Sequence, residues 1–397
     1  MIRVLSGVRV LDLSRILTGP FCSMILADLG AEVIKVENPE GGDDTRSWGP
    51  PFLGGESAYF LCVNRNKKSM TLNLTNEKGR QILYKVAEKC DIVVENFSPG
   101  VAERIGVDYG AIRKVNPRVI YCSISGFGQD GVYSDHPAYD IVIQGMSGLM
   151  SVTGEPDRPP VRIGVAISDI GAGMYAAMAI LSGLILREKT GRGQYIDISL
   201  LDSTVSWMTY MAANYFASGE IPKPMGSEHP NIVPYQCFKA GDGKYLTLAV
   251  GNDRIWIKFC SALARDDLSG NPHYATNPQR VKNRKELIPL LAEVFLKKSR
   301  DEWVDILLKQ GIPCGPVYTI DEVFADPQIL HRKMLLEISH PKAGNIRQIG
   351  NPLKFSDVTE ESDAPPSLLS QHTAEILRNL VGCSDQTIKQ LRKESII

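Results

Sequence analysis

The sequence predicts an α/β protein: a parallel sheet covered by helices on both faces, followed by a smaller α+β unit. Three observations lead there. Strand-like and helix-like segments alternate through the first third of the chain, as expected of successive βαβ units. Residues 218–230, rich in Gly, Pro and polar side chains, interrupt that pattern and read as a linker. Beyond them, short strands flank Gly241-Asp242-Gly243, a hairpin signal rather than a crossover. At 397 residues the chain exceeds one compact core, so two domains are expected.

The elements follow in order. Residues 9–13 (RVLDL) form an apolar strand, 19–29 a helix and 32–37 a strand. Then 69–74 reads as a strand, 77–90 as a helix, 91–97 as a strand, 101–115 as a helix and 118–125 as a strand. A helix beginning at Ser168, a strand over 194–199 and a helical segment over about 201–217 complete this part. Past the linker come strands at 235–238 and 245–250 and helices near 253–263, 284–297 and 301–310. From about residue 326 further strands and two short helices are expected. Ligands of parallel α/β sheets bind beyond the carboxyl ends of the strands. Gly19-Pro20 stands after the first strand, with no G-x-G-x-x-G, which disfavours an NAD-dependent dehydrogenase.

Bulk chemistry narrows the classes. Charged residues are 22% and hydrophobic residues 43% of the chain, ordinary for a soluble globular protein. The 44 Lys and Arg nearly balance the 45 Asp and Glu, so neither a nucleic-acid nor a membrane-surface partner is expected. The opening MIRVLSGVRVLDLS lacks the apolar core of a signal peptide. The eight cysteines and six histidines are scattered without a Cys-x-x-Cys pair. This predicts a reducing, cytoplasmic setting, no metal site and no tightly bound cofactor.

One charge stands out. In residues 163–186, IGVAISDIGAGMYAAMAILSGLIL, the only ionised side chain is Asp169. Met174, Ala177, Met178, Leu181, Leu184 and Ile185 fall on one helical face behind it. Ser168 and Asp169 sit where that helix should begin. Two readings are open. Asp is a favoured N-cap, and a capping role needs no further chemistry. A carboxylate facing the helix N-terminus would also stay ionised, as a carboxylate nucleophile must.

Several segments together resemble the class III CoA-transferase family, which includes formyl-CoA transferases, carnitine CoA-transferases and α-methylacyl-CoA racemases. They include VLDLSRILTGPFCSMILADLGAEVIKVENPEGGDDTR (10–46), DIVVENFSPGVAERIG (91–106), GVAISDIGAGMYA (164–176) and KTGRGQYIDISLLD (189–202). The resemblance implies a large Rossmann-like domain from residues 1–222 and 326–397. A small α+β domain from 223–325 would lie between them, in an interlocked-ring homodimer. It implies that Asp169 is the nucleophile, attacking an acyl-CoA to form a mixed anhydride and then an aspartyl-CoA thioester. Coenzyme A would be a substrate held by Ile16, Leu17, Thr18, Asn38, Leu72, Asn96, Phe97, Arg104, Ala138 and Tyr139. Some relatives carry Arg at the position of Asn38. Backbone amides near Leu17 and Gly251 are the implied oxyanion donors, although the glycine-rich loop of some relatives is here Val250-Gly251-Asn252.

Within the family, residues 41–52 and 229–238 look most like the subgroup that uses succinyl-CoA and short dicarboxylates. A second carboxylate calls for a cation or hydroxyl, and Arg15, Arg46, Arg65 and His229 are the candidates. The racemase branch uses a His–Asp pair, where this chain has Ala138-Tyr139-Asp140. A phenol with a pKa near 10 exchanges an α-proton poorly at neutral pH, so Tyr139 favours transfer. A CoA-binding protein without catalysis is the reading from another class.

Overall fold

The structure, a computed structural model, describes residues 4–357 and 363–397. The chain divides into two compact units. The first comprises the chain up to Leu149, Arg162–Ala212 and everything described from Leu330 onward; the second comprises Met150–Val161 and Ala213–Ile329. Residues 150–161, which the sequence reading left with the large domain, thus cluster with the second unit.

Six strands form the sheet of the first unit: β1 (Arg9–Asp12), β2 (Glu32–Glu37), β3 (Lys67–Thr71), β4 (Ile92–Glu95), β5 (Ile120–Ser125) and β6 (Gln194–Ser199). Their order is β3-β2-β1-β4-β5-β6 and every pairing is parallel. The chain therefore moves outward from β1 on one side, then returns to β1 and builds the other. The crevice between β1 and β4 is the switch point where ligands of such sheets bind.

Alternate residues of the strands feed two cores, as the two-residue period requires. Leu11, Ile34, Met70, Val93 and Tyr121 face one side, under helix α2 (Glu77–Ala87) and the C-terminal Ile376, Leu377, Ile388 and Leu391. Val10, Val33, Ile92, Val94 and Cys122 face the other, under α1 (Thr18–Asp28) and a long helix at Ile167–Thr190. Both faces are covered, so the strands read as nearly continuous apolar runs. The helix expected over 101–115 is broken into Val101–Arg104 and α3 (Tyr109–Val115). Gly106 between them lies at φ +72°, a left-handed turn that Gly makes readily. Among the helices not foreseen is α4 (Asp140–Met146).

The long helix, α5 (Ile167–Thr190), is apolar nearly all round. By length and composition it could span a bilayer. Its packed side is made of small residues, Gly171, Ala172, Gly173, Ala176, Ala177 and Gly183. A Cβ on Gly173 would lie 2.7 Å from the Thr18 carbonyl oxygen, so α1 and α5 touch backbone to side. The stripe expected from periodicity is instead divided. Ala177 is buried, whereas Met174, Met178 and Ile185 are 50%, 51% and 61% exposed. Small residues allow the closest approach, and a helix without a polar face leaves periodicity unable to choose the buried side.

In the second unit β7 (Tyr235–Lys239), β8 (Tyr245–Ala249) and β9 (Cys314–Pro316) form an antiparallel sheet in the order β9-β8-β7. Gly243, at φ +82°, turns the β7–β8 hairpin. Helices Asp253–Ala262, Arg284–Phe295 and Arg300–Lys309 cover it. Trp256, Phe259, Phe295 and Trp303 fill its core.

Candidate active site

The site grows from the loop after β1. Asp12, at the strand's end, is fully buried. Its carboxylate accepts from the Ser23 hydroxyl at 2.5 Å and lies 3.5 Å from Lys67 Nζ. Beside it Lys35 Nζ meets Asp43 at 2.8 Å and donates to the Ser14 carbonyl at 2.8 Å. Burial alone would raise the Asp12 pKa, but Lys67 and Lys35 hold it below the usual carboxylate value. Asp43 is likewise held down at about 2, Lys35 overcoming the effect of burial. Buried charges persist only when paired in this way.

That network fixes an unusual backbone. Ile16 sits at φ +70°, a region that a β-branched residue avoids. Its N–H reaches both Asp43 carboxylate oxygens at 3.3 Å. Next to it Asn96, just past β4, brackets Arg15. The Arg15 N–H donates to Asn96 Oδ1 at 2.8 Å, and Asn96 Nδ2 donates to the Arg15 carbonyl at 2.8 Å. Asn96 thereby bridges the β1–β4 crevice and holds the strained loop. Such strain concentrates at functional sites and costs about 1–3 kcal/mol per residue.

Leu17 precedes α1 and Thr18 is its first residue. The Thr18 hydroxyl donates to Asp169 Oδ1 in a short hydrogen bond. Asp169 is the third residue of α5 and is not its cap. The capping role falls to Asp140, whose Oδ1 accepts from Ser168 N–H at 2.9 Å while Oδ2 accepts from Gln144 at 2.7 Å. This separates the two readings of Asp169, since a carboxylate bonded to a side chain of another helix is not spent on its own helix. Burial pushes the Asp169 pKa up to about 6, with the Thr18 bond opposing and Asp140 adding to the rise. The carboxyl remains mainly ionised at neutral pH, and more basic than an ordinary Asp.

Tyr59 completes this corner and was not foreseen. It packs against the small cluster of Leu17, Met24 and Val63, and Trp48 meets it edge-on at 5.1 Å. Burial, with Asp169 and Cys62 next, raises its phenol to about 12, so it stays a proton donor. No sequence signal marks it, because only the fold carries residue 59 to Asp169.

Beside the β1 loop lies a cleft of about 640 Å³ that runs over the ends of β1, β2 and β3. Arg15, Asn38, Leu72 and Phe97 line it. The Arg15 side chain is half-exposed, 3.5 Å from Asp44, with its guanidinium 5.9 Å over the Phe97 ring. Arg104 is exposed, on the turn whose Val101 and Ile105 line the cleft. Ala138 and the exposed Tyr139 lead into α4, next to the Asp140 cap.

The other cations expected for substrate are already engaged. Arg46 makes a two-pronged bond to Glu37 at 2.7 and 2.8 Å and covers the Phe60 ring at 3.6 Å. Arg65 is buried against Asp28, with Nε bonded at 3.0 Å, and donates to the Ile349 carbonyl at 2.8 Å. His229 belongs to the second unit, where Nδ1 accepts from Asn231 N–H at 3.1 Å. Burial and then Arg284 lower its pKa, which favours a neutral ring. The Gly251 loop is also in the second unit, where Asn252 caps the helix Asp253–Ala262.

A Rossmann-order parallel sheet without the dinucleotide fingerprint, with a half-buried carboxylate held by the first residue of α1, fits a group-transfer enzyme better than an oxidoreductase. The chain belongs to CoA-transferase family III, whose description matches residues 5–373, and it is a CoA-transferase. It is 44% identical over 396 residues to the succinyl-CoA:glutarate CoA-transferase of Homo sapiens, covering 100% of this chain and 90% of that protein. A succinate–glutarate CoA-transferase of Agrobacterium fabrum is 40% identical over 382 residues, covering 95% of each. A solved CaiB/BaiF family protein from Brucella suis superposes with a TM-score of 0.85 at 44% identity, covering 95% of this chain and 99% of that one.

Proposed function

We propose that this chain moves CoA from succinyl-CoA to a short dicarboxylate such as glutarate through covalent intermediates on Asp169. The observation that carries the reading is the Thr18–Asp169 hydrogen bond. It holds a basic carboxylate against the first residue of α1, just past the β1 loop, while Asp140 does the capping. By name, the Homo sapiens relative acts on succinyl-CoA and glutarate and the Agrobacterium fabrum relative on succinate and glutarate.

Thr18 occupies Oδ1, which leaves Oδ2 to attack the thioester carbonyl. The C–S bond breaks, CoA departs as thiolate, and Asp169 holds a mixed anhydride. The thiolate then adds to the Asp169 carbonyl and expels succinate, leaving an aspartyl-CoA thioester. A glutarate carboxylate attacks that carbonyl, re-forming an anhydride and releasing the thiolate. The thiolate takes the glutaryl group and Asp169 is restored. Thioester energy stays covalent throughout, so no external energy source is required. Each addition builds an oxyanion that preorganised N–H donors stabilise. The first turn of α1, around Leu17, offers such donors next to Asp169.

Arg15, half-exposed at the cleft, is the cation we assign to an anionic substrate group. Arg46, Arg65 and His229 are assigned to scaffolding. The remaining CoA contacts are proposed at Ile16, Asn38, Leu72, Asn96, Phe97, Arg104, Ala138 and Tyr139. We also propose the interlocked homodimer, each chain with a large domain drawn from both its ends and a small domain between them; the exposed Met174, Met178 and Ile185 of α5 are apolar surface that a partner would cover. A reducing compartment suits eight cysteines that are all free thiols.

Hydroxylamine tests the covalent step. Incubation with succinyl-CoA followed by hydroxylamine should give a hydroxamate on the Asp169 peptide. A turning-over enzyme that yields no modified Asp169 would remove it from the mechanism. Exchange of an α-proton with deuterated water, without an acceptor acid, would indicate a racemase instead.

A further inference from the structure

The cleft over β1, β2 and β3 needs positive charge if it holds a nucleotide bearing phosphates, and most of its lining supplies none. Asn38 and Thr75 on its wall are uncharged. Lys35 is buried and committed to Asp43 and the Ser14 carbonyl. Arg15 stands at the β1 end, next to the loop that holds Thr18 and Asp169. One further cation lines the cleft, Arg392, in the last turn of the C-terminal helix α6 (Asp385–Lys393).

Arg392 is held there by the fold. Ile388, Leu391 and Ile396 are buried in the core on that side of the sheet. The Ile396 carbonyl accepts from Asn73 N–H at 2.8 Å, just past β3. Lys78 meets Glu394 at 2.7 Å. The segment is thus fastened to the exit of β3. Arg392 is exposed, and among the described residues no carboxylate pairs with it. Of the acidic side chains lining the cleft, Glu37 pairs with Arg46 and Asp43 with Lys35, and Glu40 is exposed.

Position in the sheet says which end of a substrate it meets. β3 lies two strands from β1, about 10 Å at a spacing of ~4.8 Å. The thioester must reach Asp169 at the β1 end. A long thioester lying across the strand ends therefore presents its far, nucleotide half to the β3 side. A guanidinium matches a phosphate with two parallel N–H bonds. Resting on the CoA-transferase reading, we propose that Arg392 grips a phosphate of the nucleotide half of the CoA substrate.

The test uses the full chain and three thioesters: succinyl-CoA, its 3′-dephospho form and succinyl-pantetheine, which has no phosphate. Arg392→Gln should raise KM for succinyl-CoA about tenfold to a hundredfold, the worth of a charged hydrogen bond, with kcat nearly unchanged. KM for succinyl-pantetheine should not move. Arg392→Lys, a point charge in place of the fork, should fall between. Insensitivity of the dephospho ester would assign the contact to the ribose phosphate; retained sensitivity would assign it to the diphosphate. Equal losses on all three esters, or no loss on succinyl-CoA, would overturn the proposal. Calorimetry with free CoA and pantetheine repeats the comparison without turnover, so a wrong choice of acyl group leaves this test standing.

Discussion

Thr18→Val should move the pH dependence of the enzyme upward while leaving its fold intact. Valine has nearly the shape of threonine, and Thr18 is only 4% exposed, so packing is preserved and only the hydroxyl is lost. That hydroxyl donates to Asp169 and is the group that lowers its pKa against burial and Asp140. A hydrogen bond to a charged acceptor is worth about 1.5–3 kcal/mol, equivalent to ~1–2 pH units at 1.36 kcal/mol each. From a starting value of about 6, the Asp169 pKa of the variant should reach ~7–8. The wild type is then about nine-tenths ionised at pH 7, and the variant about half or less. The assay is kcat/KM for succinyl-CoA between pH 5 and about 9, which reports groups of the free enzyme. The acid limb should lie near 6 in the wild type and shift upward by ~1–2 units in the variant, with activity recovering at high pH. Thr18→Ser, which keeps the donor, should restore the original limb. An acid limb that stays in place while activity falls equally at every pH would refute the electrostatic role.

Asp169→Asn should abolish transfer, retain CoA binding and stabilise the fold at neutral pH. Burial raises this pKa from 3.8 to about 6, so the folded state binds the proton more tightly than the unfolded chain. Its stability contribution is therefore fully present below about 4 and lost as pH rises through about 6. The variant's advantage should be at most ~3 kcal/mol above pH 7, less because the carboxylate is partly open to water, and should vanish near pH 4 in denaturant titrations. Gly173→Val would place a Cβ 2.7 Å from the Thr18 carbonyl oxygen; it should cost ~1–3 kcal/mol of stability and lower kcat by shifting Thr18 from Asp169, and unchanged kcat would remove this packing from the site. Arg65→Met breaks the buried pair with Asp28, and the loss should be ~3–5 kcal/mol with acceptor KM unchanged in the folded fraction. A raised dicarboxylate KM at unchanged melting temperature would return Arg65 to the substrate site.

The sheet was legible because each strand is an apolar run flanked by a helix, and both faces are covered. The strand order was not, since alternation alone does not say on which side of β1 a strand is laid. Asp169 could be read because it is the sole charge in a long apolar run. Whether it capped the helix could not, because the residue that does so, Asp140, lies 28 positions before Ser168, whose N–H it accepts. Arg46 and Arg65 illustrate the commonest loss of information. Their partners Glu37 and Asp28 sit on or just before β2, and only the folded loops show that both charges are spent. The face of α5 was unreadable for a different reason: glycine and alanine pack most closely while carrying the weakest hydrophobic signal. Arg392 was invisible as a site residue because nothing local ties a C-terminal helix to the end of β3.

Oxygen exchange tests the role of Asp169 most directly. With glutarate whose carboxylates carry heavy oxygen, the acceptor carboxylate becomes the bridge of the second anhydride, and its bridging oxygen stays on Asp169 when glutaryl-CoA leaves. After turnover with succinyl-CoA, mass spectrometry of the peptide containing Asp169 should show heavy oxygen in that side chain and in no other carboxylate. Product formation over many turnovers with Asp169 unlabelled would mean that the acids exchange CoA without passing through this residue.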